Sequence, residues 1–221
     1  MGNVLTERTD RTVRRILIST AAIVALFVAV TLISNPLVKG NDNDRNRGER
    51  HREDEGALEV QIGFRISPIP FNSLNLKGKD PELAGLGSYI VNAPAGCNDC
   101  HTCPSYDPGP PKHNPYPPDL GDGQFNRKNY LAGGVPFDFI KPGLPKSRNI
   151  TPDATGKPAG LTLEQFETAL RTGHDPLSGY VLEVMPWPFF RFMTDRDLDA
   201  IYSYLSAIPP ASPGNCSGPG D

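Results

Sequence analysis

Hydrophobic and polar positions are distributed very unevenly along the chain. Residues 16–33, ILISTAAIVALFVAVTLI, contain no charge. At about 1.5 Å of rise per residue the run spans roughly 27 Å, close to the hydrocarbon thickness of a bilayer, and predicts a single transmembrane helix over residues 16–34. Residues 35–57, NPLVKGNDNDRNRGERHREDEGA, are dense in charge and nearly free of large apolar groups, which predicts a flexible linker. In EVQIGFRI the apolar residues Val60, Ile62, Phe64 and Ile66 alternate with polar or small ones, the period of a half-buried strand, so residues 58–80 are expected to form an extended arm. Beyond it the period becomes helical. Pro81 opens a segment in which Leu83, Leu86, Ile90 and Val91 recur at helical spacing. Thr162 and Gln165 form a capping box before a second helix that Gly173 ends, with Leu161 and Phe166 at the hydrophobic-staple positions. A third helix starts at Thr194, carries Leu198, Ile201, Tyr202, Leu205 and Ile208 on one face, and stops before Pro209.

Composition narrows this picture. With 24 Pro and 22 Gly, long irregular loops are expected between the helices. A net charge of -3 without a basic stripe argues against nucleic acid as a partner. Arg8, Arg11, Arg14 and Arg15 precede the apolar run against only Glu7 and Asp10, so residues 1–15 are expected in the cytoplasm and the rest on the periplasmic side of the inner (cytoplasmic) membrane. A cleaved signal peptide would carry a shorter apolar core and an A-x-A site; with neither present, an uncleaved anchor is expected.

Three of the four cysteines crowd into GCNDCHTC, residues 96–103. Cys97-Asn98-Asp99-Cys100-His101 is C-x-x-C-H, the pattern of c-type haem attachment. On one helical turn Cys97 and Cys100 face the same side, where both thiols reach the porphyrin edge while His101 takes the iron. Three alternatives exist. A thioredoxin-type disulfide lacks its alternating strands and helices. Cys97, Cys100 and Cys103 resemble part of an iron-sulfur run without its fourth nearby cysteine, and a zinc site would need distant Cys216 or a stray histidine. For the opposite axial position, Met185 in VMPWP sits in a loop stiffened by Pro186 and Pro188. Met193, just before the Thr194 cap, reads as the apolar half of a staple with Leu198. His174 and His113 are competing ligands, and His51 falls in the linker.

Together, the amphipathic helix, C-x-x-C-H, SRNITPD, the second helix, MPWP and a last helix ending AIYSYLSAIPP resemble a class I c-type cytochrome of the bacterial membrane-anchored, monohaem kind. The resemblance covers residues 81–210 and implies a mainly α, cytochrome c-like domain with long Pro/Gly-rich loops behind the single N-terminal transmembrane helix. It implies one covalent haem c on Cys97 and Cys100, axial ligands His101 and Met185, and a crossing of the first and last helices in which Gly85 or Gly87 lets Tyr202 approach. It also hints that Asn149 and Thr151 bond the haem propionates, against an Asx-type turn before Pro152. Residues 102–147 form a Pro/Gly-rich insertion that the simplest members lack; within it Asp119 and Asp122 read as a turn rather than a calcium loop. Trp187 reads as packing beside Met185.

No catalytic constellation is visible, so the expected role is extracytoplasmic electron transfer with redox partner proteins, whether as a free carrier or as a subunit of a dehydrogenase or oxidase complex. The alternative is a haem enzyme or sensor with an open or displaceable distal position. With Cys97 and Cys100 engaged by haem, Cys103 and Cys216 are left as a disulfide pair in an oxidising compartment, tying down the tail over residues 211–221.

Overall fold

A computed structural model of the chain describes residues 42–105, 123–138 and 140–216. The expected cytoplasmic tail, the membrane span over residues 16–34, Asp119, Asp122 and His113 lie outside the described residues. Among the described residues no helix is long and apolar enough to cross a membrane. The chain divides into two compact units, Met1–Arg50 and His51–Asp221. Of the first only residues 42–50 are described, and they are helical. The helices are α1 (Asp42–Ile66), α2 (Pro81–Asn92), α3 (Cys97–His101), α4 (Leu163–Thr172), α5 (Trp187–Phe190) and α6 (Asp195–Leu205), with a 3-10 turn at Phe71–Ser73. Only isolated bridges occur among the described residues, with no strand, so the domain is mainly α.

Two sequence expectations fail at α1. Residues 58–66 are helical, not an extended arm, and the stretch expected as a flexible linker is helical from Asp42 onward. The physical reason lies in the apolar pattern, because periods of 2 and 3.6 coincide at i and i+4. Val60 and Phe64 satisfy both. In the fold these two side chains lie so close over Gly85 of α2 that a Cβ there would strike them, while the buried Gly63 meets the Gly85 carbonyl. Once the Val60–Phe64 face nucleates a helix on α2, extending it adds a hydrogen bond per residue without a new nucleus.

The three other helix readings hold. Asp80 caps α2 by accepting from the Glu82 and Leu83 N–H groups, Thr162 and Gln165 close a capping box on α4, and Thr194 does so on α6 with Asp197. Helices α2 and α6 make the main helix–helix contact. The glycine roles differ from the expectation. Gly87 admits the Ala200 carbonyl and Tyr204, whereas Gly85 serves α1. Tyr202 instead stacks edge-on against Phe166 at 5.6 Å and donates to the Leu161 carbonyl.

The insertion supplies part of the core. Tyr130, Leu131 and Ala132 are buried together with Leu86, Val91, Leu198 and Leu205. The Tyr130 hydroxyl donates to Asn92 Oδ1 at 2.6 Å and lies 3.2 Å from the Tyr204 hydroxyl, which in turn meets Ser67 Oγ at 2.8 Å. Among the described residues no buried side-chain polar atom lacks a partner, so this network adds specificity without a desolvation debt.

Candidate cofactor site

Helix α3 is a single turn entered through Gly96 in the left-handed conformation, φ 55°. It sets Cys97 and Cys100 on the wall of one cavity with His101. Asn98 points the other way, buried, its amide 3.4 Å from Asn92 Oδ1. The His101 Nδ1 lies 2.7 Å from the Arg148 carbonyl. A carbonyl only accepts, so Nδ1 carries the proton and the Nε2 lone pair is left for a metal. Glycine makes this approach possible. The Gly133 N–H donates to the His101 carbonyl at 2.6 Å, and a Cβ on Gly133 would collide with the Arg148 backbone.

The electrostatics match that donor set. Burial lowers the His101 pKa, the hydrogen bond to the Arg148 carbonyl opposes it, and the net shift is downward, toward neutral imidazole. Burial and the neighbouring Cys100 push the Cys97 thiol up to about 12. Burial and then Asp99 raise the Cys100 thiol as well. Reactive dithiol pairs have depressed pKa values, so the thioredoxin-type alternative finds no support here. Cys103 does not line the cavity and stands opposite Cys216, with a Cα–Cα distance of 5.8 Å, inside the range a disulfide spans. Among the described residues no group of three or more His, Cys, Asp or Glu side chains is placed to hold a metal ion.

The cavity measures about 420 Å³, within the range of about 300–1,000 Å³ usual for cofactor sites. Its lining is mostly apolar, with Ile150, Leu161, Phe166, Leu170, Ile201 and Leu205 among the lining residues. A macrocycle with an apolar face, two thiol attachment points and one imidazole ligand fits these residues. Met185 lines the cavity, and so does Met193. His174 does not; it is exposed, with Nδ1 against the Thr172 carbonyl at 3.1 Å. Cys97, Cys100, His101 and Met185 thus share one cavity, and Met193 has a place in it besides its seat before the fully buried Leu198.

Asn149 and Thr151 do not line the cavity. Asn149 Oδ1 accepts from the Thr151 N–H and hydroxyl at 2.9 and 2.7 Å, its amide donates to the Ala211 carbonyl, and Thr151 Oγ1 accepts from Ala211 N–H. The pair is an Asx turn that fastens the tail. The residue before it does face the cavity: Arg148 pairs with the buried Asp175 at 2.6 Å, Nη2 to Oδ2. Sequence reading passed over both residues. Arg148 stood in the quoted SRNITPD, but an arginine in a loop announces no partner. Trp187 packs its indole on Gly173, the left-handed residue that ends α4.

No family model matches the chain. Curated relatives do. Over 149 residues, 67% of this chain and 29% of the relative, it is 31% identical to the cytochrome c subunit of the quinone alcohol dehydrogenase of Gluconacetobacter polyoxogenes. It is 27% identical over 155 residues to the gluconate 2-dehydrogenase cytochrome c subunit of Pantoea cypripedii, covering 70% of this chain and 30% of that one. It is 33% identical over 143 residues to the fructose dehydrogenase cytochrome subunit of Gluconobacter japonicus, covering 65% and 24%. The chain spans less than a third of the length of these relatives. Their likeness supports a c-type cytochrome, an electron-transfer role and haem c as cofactor.

Proposed function

We propose that the chain is a one-haem electron carrier, its iron bound by His101 and Met185 and its macrocycle bonded to Cys97 and Cys100. The observation that carries this reading is the shared apolar cavity, in which two protonated thiols, an imidazole with Nδ1 already engaged and a thioether converge. A single C-x-x-C-H in the sequence supports one haem. When bound, haem supplies an iron that exchanges one electron. The protein's part is to fix the His101 tautomer through the Arg148 carbonyl, hold a thioether opposite, and exclude water with the apolar walls. The names of the relatives point to a dehydrogenase as the redox partner, with this chain serving it as carrier or subunit. The uncharged run over residues 16–33 supports anchoring in the inner membrane with the haem domain in the periplasm.

Haem staining of the protein on a denaturing gel tests the covalent attachment, and the visible spectrum tests the ligation. A low-spin spectrum with the sulfur-to-iron band in the oxidised form, and no CO binding by the reduced form, is expected. A stain-negative protein overturns the cytochrome reading. Ready CO binding by the unmutated reduced protein overturns the carrier in favour of a haem enzyme or sensor.

A further inference from the structure

Arg148 touches both His101 and the loop that carries Met185. Its carbonyl accepts the His101 Nδ1 proton on the proximal side, while its guanidinium reaches Asp175, which begins the loop leading to Met185. Asp175 is the centre of that loop. Its carboxylate accepts from the Ser178 hydroxyl and from the Leu177 N–H at 3.1 Å. Its N–H donates to the Tyr180 carbonyl at 2.9 Å, its own carbonyl accepts from the Gly179 N–H at 2.7 Å, and the Leu182 N–H returns to the Gly173 carbonyl. Ser178, Tyr180, Leu182 and Met185 all line the cavity.

The exposures of the pair are unequal, 39% for the Arg148 side chain and 8% for Asp175. A carboxylate so enclosed is costly unless paired, so the pair constrains both partners. The loop's other ion pair, Lys141 with Glu183 at 2.8 Å, is solvent-exposed on both sides and correspondingly weak. Leu177, Tyr180 and Val181 are largely exposed, and Tyr180, at 75%, contributes almost no burial.

We propose that Arg148 and Asp175 are positioning residues forming a clasp across the cavity, which couples the proximal histidine's hydrogen bond to closure of the distal loop and so keeps Met185 on the iron. The clasp rests on the Met185 ligation proposed above. Breaking it raises the fraction of molecules in which the loop is open and the sixth position accessible. The domain's helices, packed on α2 and α6, do not depend on it.

The full-length, haem-loaded protein tests this by CO association with the reduced form, whose rate follows the population of the open loop. Asp175→Asn and Arg148→Gln should each speed association roughly tenfold, the scale expected for breaking an ion pair with one partner buried and the other exposed. The double variant should be no faster than Asp175→Asn alone, since both substitutions remove one interaction. Ser178→Ala leaves the pair intact and removes one hydrogen bond from Asp175; it should give roughly a fivefold increase. If the charge variants lose their haem, Ser178→Ala decides: a rate equal to that of the unmutated protein overturns the clasp. Rates within twofold of the unmutated protein in haem-loaded Asp175→Asn and Arg148→Gln also overturn it, even if their melting temperatures fall, because that leaves a merely structural pair. An unmutated protein that lacks the sulfur-to-iron band overturns the Met185 ligation and the clasp with it, a result recognisable before any variant is made.

Discussion

The two sides of the cavity are built differently. On the proximal side, three chemical groups arrive within one helical turn, with buried Asn98 and Thr102 beside them and a glycine-dependent contact locking the histidine. On the other side the chain runs from Gly173 to Met193 with one four-residue helix, α5, and Phe189 and Phe192 stand largely exposed at 78% and 79%. The proximal groups are ordered by local geometry and a close-packed backbone. The distal ones are held at a few points: the Arg148–Asp175 pair, the exposed Lys141–Glu183 pair, Trp187 on Gly173, and Arg171, which donates to the Arg191 and Met193 carbonyls and pairs with Asp195. One side should therefore respond to mutation in an all-or-none way and the other by degrees.

The largest effect should come from the proximal side. Replacing both Cys97 and Cys100 by Ser should abolish covalent haem, read as a complete loss of stain on a denaturing gel; retained stain would break the comparison at its root. Met185→Ala comes next. Haem should remain attached, while the oxidised protein loses its sulfur-to-iron band, the reduced protein binds CO and the reduction potential falls. A change confined to Met193→Leu would transfer the ligand role to Met193, which lines the same cavity.

The Cys103–Cys216 pair closes a sequence separation of 113 residues next to the C-x-x-C-H turn. If it is oxidised in the mature protein, Cys216→Ser should lower stability by roughly 2–5 kcal/mol, measured by denaturant unfolding. Mass spectrometry of the non-reduced chain checks the premise, since two alkylatable thiols there would remove the disulfide. Gly133→Ala sharpens the proximal account further. With φ 71° and the Arg148 backbone in the way of a Cβ, it should cost about 1–3 kcal/mol and shift the reduction potential, because the Arg148 carbonyl moves relative to His101. The smallest effect belongs to Met193→Leu, a volume-conserving change at a staple. It should cost less than about 1.5 kcal/mol with the spectrum unaltered.

Much of this was legible before any fold was known, and for identifiable reasons. Thr162, Gln165 and Gly173 mark the ends of α4 because a helix terminus must satisfy its backbone groups with nearby side chains, a requirement confined to a few residues. The C-x-x-C-H spacing is legible because one turn of helix fixes where its side chains point. The arm was misread because Val60 and Phe64 fit a strand as well as a helix until a surface is supplied, and that surface is Gly85, more than twenty residues further on. Tyr130, Leu131 and Ala132 were passed over because YLAGG lies in Pro/Gly-rich surroundings and its apolar run is too short to carry a period.

By itself, then, the sequence determined the groups whose geometry is local: the helix caps, the two thiols and the imidazole of one turn, and an uncharged run long enough to span a bilayer. Only the tertiary structure decided which nitrogen of His101 is left free, since the carbonyl that takes the other belongs to a residue 47 positions away. It also decided that Arg148 finds Asp175, that Gly87 receives Ala200 rather than Tyr202, and that Asn149 and Thr151 fasten the tail instead of facing the cavity. Local rules act through the covalent chain within about one turn. Pairings across tens of residues are chosen by what the packed core brings within hydrogen-bond reach, and a residue's type does not name its partner.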